Sequence, residues 1–533
     1  MRKTEISYED AGILNNLIGD YVKGSKNINE FISHPFEFSA FEKIIAEKEK
    51  TYKNREILHT ELLRQYKDFD CSDAVKQNID LLKNENAFTI TTAHQPNIFT
   101  GPLYSIYKAV STIKLSRSLK KAFPDKDFVP VFWQGSEDHD FPEINHIQLF
   151  GNKIEWDFEH KGEAVGRMKT EGFEPLLEQI GEILGDRPYA EELNTLLKSA
   201  YDGKRSIADA YKYIMNQLLG AEGLLILNQD AEALKKAYLP VLKAEISDEI
   251  VTKNVLPQID QLEEKDYKVQ ASPRELNIFY IDQDNVRNRI VKSDVGFTVL
   301  NTAIKWNSET DLFQEMEEYP QRFSPNVFLR PLYQEQILPN LAYVGGQGEL
   351  SYWMELKKLF DACEPPFPML VLRNMLAIVN SSSCKKIKKL ELTHKELFLD
   401  EATILKRFVK NHSDNPLELD REKAEFEKLY GKIKEKAISV DPSLGASVES
   451  IMQGQLKALS NIESKILRAE KKHFDIAQNQ ISRVKNALFP NGNLQERSEN
   501  FMHFYSVYGK DFIKALLENL EPFEKSFYLL KDD

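Results

Sequence analysis

The segment Ser136-Glu137-Asp138-His139-Asp140-Phe141-Pro142-Glu143-Ile144-Asn145-His146 packs four carboxylates and two imidazoles into eleven residues. Such side chains in one loop can move protons, orient a nucleophile or hold a metal. In a helix, His139, Glu143 and His146 would share one face at i, i+4 and i+7, a spacing able to hold a metal. Pro142 suits only an early helical turn, and a capped, solvated loop is the competing use. His94 follows a β-branched run and precedes a helical pattern, where backbone N–H groups and the helix dipole favour a phosphate. An imidazole there can donate to phosphate oxygens as charge builds; a purely structural turn histidine is the alternative. Gly345-Gly346-Gln347-Gly348-Glu349 lets a backbone approach a ligand closely, or makes a tight strand–helix turn. It is neither G-x-G-x-x-G nor a P-loop. Lys108, Arg330 and Arg373 are cationic candidates for carboxylate or phosphate, with buried ion pairing as the other explanation. No Ser-His-Asp or Cys-His pairing can be assembled from spacing.

Positioning these groups requires a sheet. Ala87–Thr92, Phe128–Trp133, Gly223–Asn228 and Pro368–Arg373 read as buried strands, and Tyr343 to Leu350 as strand, glycine turn and helix. Thr100 is offered as a helix N-cap and Pro102 as the opening turn, with Leu103, Ile106, Tyr107, Val110 and Ile113 at helical spacing behind them. Strand, turn, helix, strand is the βαβ unit of a parallel sheet, so the fold class is α/β with a Rossmann-like core split by insertions. Beyond Lys385, Val448, Met452, Leu459, Ile462, Ile466 and Ala469 follow a coiled-coil seam, with Gln455 at one seam position. Phe474, Ala477, Ile481, Val484 and Leu488 continue it in shifted phase, and Asp441-Pro442-Ser443 marks the turn of an antiparallel helical hairpin. The expected boundaries are an N-terminal helical segment 1–85, first core part 86–148, insertion 149–222 and core continuation 223–240. A second insertion with β content follows at 241–342, then second core part 343–384, coiled-coil hairpin 385–490, and a segment 491–533 packing on the core. The stretch Glu42–Lys67 has no Gly or Pro to interrupt a helix. Lys385-Lys386-Ile387-Lys388-Lys389 reads as a solvated helix face, with closure over a nucleotide as the competing use.

Composition narrows the classes. The 533 residues carry 70 basic and 83 acidic side chains, a net charge of −13, which argues against broad nucleic-acid binding. Apolar runs are too short for a membrane span, and no apolar region follows the first residues as in a secretory signal. Three scattered cysteines exclude a disulfide scaffold and a cysteine zinc site. A cytoplasmic protein is the expectation, with no structural zinc.

Thr92-Ala93-His94-Gln95-Pro96, Phe99-Thr100-Gly101-Pro102-Leu103-Tyr104 and Ile106-Tyr107-Lys108 together form an unusual pattern. With Pro130-Val131-Phe132-Trp133, Glu137 to Asp140, Glu143 to His146, Tyr343 to Gly346 and Leu494-Gln495-Glu496-Arg497, the whole chain resembles the cysteine-adding enzymes of bacillithiol biosynthesis. The resemblance implies a Rossmann-type core with connecting-peptide insertions and a coiled-coil domain that makes a homodimer. It implies ligation of the cysteine carboxyl to the amine of glucosaminyl-malate, with ATP and Mg2+ through an acyl-adenylate. His94, Asp138, His139 and Asp140 are then the catalytic candidates. Gln95, Asn97, Thr100, Gly101, Lys108, Gly345, Gly346 and Arg373 are the nucleotide- or substrate-binding ones. His94 occupies the place of the first histidine in the His-x-Gly-His signature of class I synthetase-like ligases, whereas Pro96 and Asn97 replace its glycine and second histidine. No Lys-Met-Ser-Lys-Ser element is recognisable. Two other readings compete: a metal-dependent hydrolase using His139, Glu143 and His146, and a nucleotide-binding coiled-coil scaffold.

Overall fold

Five runs of aliphatic and β-branched residues line up as one parallel sheet in the computed structural model, which describes residues 1–532. They are β1 (Ala87–His94), β2 (Asp127–Gln134), β3 (Leu225–Asn228), β4 (Asn340–Gly345) and β5 (Met369–Leu372). Their spatial order is β5-β4-β1-β2-β3. Thr91 lies opposite Val131 on one side and Tyr343 on the other. Helices cover such a sheet, so its strands are apolar throughout, and β1 buries even its threonines. Their hydroxyls find partners: Thr91 donates to Asn340 Oδ1 (2.8 Å) and Thr92 to the Val344 carbonyl (2.7 Å). Pro130 is tolerated in β2 because β3 pairs only from Val131 onward. Strand order reverses between β1 and β4, the switch point beside which open α/β sheets bind ligands.

Helix α1 (Tyr104–Ala122) connects β1 to β2, buried along most of its length. The insertion after β3 ends in an antiparallel sheet built from Ile278–Ile281, Arg287–Ser293, Gly296–Val299, Lys305–Trp306 and Phe323–Pro325. One expected helix is two: Phe41–Thr51 and Arg55–Tyr66 are separated at residues 52–54. Tertiary hydrogen bonds outcompete helix continuation there, because Tyr52 donates to the Ile337 carbonyl (2.6 Å) and Asn54 to that of Gln336 (2.8 Å).

The chain divides into two units, one comprising Ser7–Ala377 with Leu494–Tyr528, the other Met1–Ile6, Ile378–Asn493 and the residues from Leu529. In the second, α2 (Asp420–Val440) and α3 (Leu444–Lys471) form an antiparallel hairpin. Lys423–Glu463 (2.6 Å) and Lys434–Glu449 (2.7 Å) bridge it. Phe426, Tyr430, Met452, Leu459 and Ile466 are half-buried in its seam, while Leu429, Ile433, Ile451 and Ile462 stay exposed. The seam does not run on in shifted phase. A turn at Lys472–Phe474 redirects the chain, and Ala477 and Ile481 pack with Leu390, Ile404 and Val409 instead. Among the described residues no helix is long and apolar enough to cross a membrane.

Candidate active site

All five strands run in one direction, so the residues leaving their C-terminal ends meet at one edge. His94 ends β1, Asp138 and His139 follow β2, Gly346 follows β4 and Arg373 follows β5. They line a cavity of about 890 Å³, together with Gln95, Lys108, Glu143 and Arg330. Seven cationic side chains line it against three carboxylates, an inversion of the chain's overall acidity.

His94 is a neutral imidazole. Its Nδ1 faces two acceptors, the Gln95 carbonyl (3.1 Å) and Asn97 Oδ1 (3.0 Å), so the ring proton resides there. Nε2 then accepts from the Tyr104 hydroxyl at 2.9 Å. Burial, then the nearby Lys108 ammonium, lowers its pKa to about 4. The imidazole thus spends its N–H on the turn and aims its lone pair at Tyr104, in place of the expected donation to phosphate. Tyr104 is one pocket group that sequence spacing missed; its ring carries Lys108, Arg373 and Arg497 at 5.5, 5.6 and 6.0 Å.

Asp138 is held between Gln95, whose amide donates to Oδ2 (2.6 Å), and the His139 backbone N–H on Oδ1 (2.7 Å). Burial pushes its carboxyl up, but Arg287 and these donors prevail, so the net shift is down. His139 Nδ1 accepts from Arg287 (2.9 Å), and its ring leans on Phe279. Burial and Arg287 hold this imidazole below its ordinary range. Arg287 arrives from the antiparallel sheet of the insertion, a contact no local spacing reveals. Glu137 points away into the core, where its carboxylate meets Lys235 (2.5 Å) and accepts from Gln229 (3.0 Å).

Across the pocket Lys108 bonds Glu349 (2.6 Å) and the Ala93 carbonyl (3.0 Å). Glu349 also accepts from the Gly346 N–H (2.9 Å) and the Tyr343 hydroxyl (2.8 Å). Burial raises this carboxyl, yet Lys108 and His94 bring it down to about 2. Gly345 is a packing glycine: a Cβ there would sit 2.9 Å from the Tyr343 ring. It does not line the cavity.

Other expectations fail at the turn after β1. Thr100 is not a helix cap; α1 begins at Tyr104 with no side-chain cap, and Thr100 lies in a tight turn with positive φ at Phe99, Thr100 and Gly101. The Leu103 N–H donates to the Glu499 carbonyl (2.8 Å), and Asn500 Nδ2 donates to the carbonyls of Phe99 (2.9 Å) and Gly101 (2.7 Å). A distant segment thus covers the start of α1, closing the anion site expected there. Asn97, Thr100 and Gly101 shape the turn and do not line the cavity, and Asp140 is exposed outside it. The helical face proposed for His139, Glu143 and His146 does not form. The helix is one turn, Phe141–Ile144, and His146 opens a hairpin strand. Among the described residues no group of three His, Cys, Asp or Glu stands close enough to hold a metal.

Fold and cavity together define a Rossmann-like α/β protein with a polyanion-sized, cation-rich pocket at the sheet's switch point. Residues 1–374 match the bacillithiol biosynthesis BshC N-terminal Rossmann-like domain, and residues 376–531 the BshC C-terminal coiled-coil domain. A protein of Flavobacterium psychrophilum named "Putative cysteine ligase BshC" is 40% identical over 529 residues, covering 99% of each chain. One of Flavobacterium johnsoniae with the same name is 39% identical over 98% of this chain and 99% of its own. A third, from Bacillus cereus, is 26% identical over the full length of both. The chain belongs to the BshC family of bacillithiol biosynthesis.

Proposed function

We propose that the protein is a cysteine ligase that joins the cysteine carboxyl to the amine of glucosaminyl-malate, yielding bacillithiol. The observation that carries this reading is the cavity's charge: seven cations against three carboxylates in an acidic chain suit a substrate set rich in carboxylates and phosphates. Relatives covering nearly the whole chain bear the cysteine ligase name. The cavity is also two-sided. Gln95 Oε1 is buried without a partner beside Asp138, which suits an ammonium or amine, while the opposite wall offers Lys108, Arg330 and Arg373.

An amine attacks a free carboxylate poorly at neutral pH; ATP with Mg2+ would supply the activation, its adenylyl group going to the carboxylate with loss of pyrophosphate and leaving as AMP when the amine attacks. The residues present fit such a group. Arg274, Arg289 and Arg497 line the cavity, and none pairs with a carboxylate among the described residues. Asp138 and Glu143 provide the one or two carboxylates that Mg2+ ordinarily takes. His94 holds the Tyr104 hydroxyl in place at the cavity wall. The exposed apolar flank of the hairpin, from Leu429 and Ile433 to Ile451 and Ile462, supports a homodimer.

The test is mass spectrometry of cysteine, glucosaminyl-malate, ATP and Mg2+ with the purified protein, beside a no-ATP control. Bacillithiol with AMP release is expected, and His94→Ala lowers the yield at least tenfold while the fold is kept. Absence of product from folded protein and intact substrates counts against the reading.

A further inference from the structure

Arg373 is clamped through its two terminal nitrogens and free at the third. Its Nη2 donates to Glu496 (2.6 Å) and its Nη1 to the Asn374 carbonyl (3.0 Å), while Nε has no partner and the side chain is only 3% exposed. Arg330 repeats the pattern: one terminal nitrogen donates to the Tyr352 hydroxyl, and Nη1 is buried with no acceptor. A buried donor left unpaired is costly, so two around one cavity are a standing demand for an acceptor. Glu349 does not meet it: its oxygens accept from Tyr343, Gly346 and Lys108, and neither of these guanidinium nitrogens is among its donors.

Gly346 shows where the acceptor would sit. Its backbone is ordinary (φ −79, ψ 167), and an added Cβ would meet only Glu349 at 3.5 Å and Arg373 Nε at 3.6 Å. Neither conformation nor packing demands glycine there, and a methyl on it would lie in van der Waals contact with the partnerless Nε, between that nitrogen and the cavity that Gly346 lines.

We propose that Arg330 Nη1 and Arg373 Nε, with the space over Gly346, form an oxyanion cradle that holds a carboxylate of the hydroxydicarboxylic arm of the acceptor substrate. The assignment rests on the cysteine ligase reading for the identity of that arm. Guanidinium N–H groups in fixed orientation favour a planar carboxylate, and Arg373 is fixed by Glu496 and Asn374.

The experiment is calorimetric titration of L-malate and of inorganic phosphate into the full-length protein and its Gly346→Ala and Arg330→Gln variants. Saturable malate binding to the wild type is expected, weakened at least tenfold in both variants, with phosphate weaker throughout. Gly346→Ala decides the matter if Arg330→Gln does not fold, since its methyl makes only ordinary contacts. Malate affinity within twofold of wild type in folded Gly346→Ala overturns the cradle, as does no malate binding to the wild type. Phosphate binding tighter than malate, and lost in Gly346→Ala, overturns the carboxylate assignment. Product formation with an unchanged KM for glucosaminyl-malate in Gly346→Ala removes the cradle and retains the ligase. Malate binding lost in Gly346→Ala, with no product from any protein, retains the cradle and removes the ligase.

Discussion

His94 lies below its ordinary pKa, at about 4, because burial and Lys108 penalise the imidazolium. The unfolded imidazole titrates near ~6.5, so the unfolded chain takes up the proton first as pH falls. The neutral ring's contribution to stability is therefore complete above pH ~6.5 and lost between there and about 4. Thermal midpoints of wild type and His94→Gln should converge as pH drops from 7 to 4; a constant gap across that range contradicts the neutral ring. Tyr104→Phe keeps the ring under its three cations but strips the donor from His94 Nε2. Urea denaturation should show a loss of about 0.5–1.5 kcal/mol, the usual net worth of a hydrogen bond between half-buried groups.

The turn between β1 and α1 is an element built against local preference, with three successive residues at positive φ. Asn500 pins it through two carbonyls, so Asn500→Ala orphans both and should cost about 2–4 kcal/mol by chemical denaturation, well above a typical surface substitution. This turn also marks where the sequence stopped being readable. Strands announce themselves by composition, and Ala87–Thr92, Phe128–Trp133 and Pro368–Arg373 were legible because a sheet covered on both faces selects apolar runs. Their parallel alignment brings His94, Asp138, Gly346 and Arg373 to one edge, so those positions were also legible. Thr100 as a cap was a local inference, and it failed because its true partners lie near residue 500. Arg287 on His139 and Tyr52 on Ile337 are equally tertiary, and no window of ten residues contains them.

At the scale of the molecule, a cation-lined cavity in a chain of net charge −13 must attract its ligands against the general field. Screening weakens that attraction, so KM for an anionic acceptor should rise several-fold between low and high salt with kcat little changed. The hairpin supplies the other molecular test. If the proposed homodimer forms through this flank, Ile451→Glu with Ile462→Glu should give a monomer in light scattering with the helical content unchanged by circular dichroism, since both side chains are exposed in the single chain. The split sheet also dictates timing. β1 and β4 are neighbours, yet Thr92 and Val344 are 252 positions apart, and closing so long a loop is slow. Until β4 docks, the Lys108 ammonium lacks Glu349 and cannot be buried without a heavy penalty. In refolding experiments, ligand binding should therefore return only with the slowest kinetic phase, the one in which Lys108 meets Glu349; recovery of binding in an earlier phase contradicts that coupling.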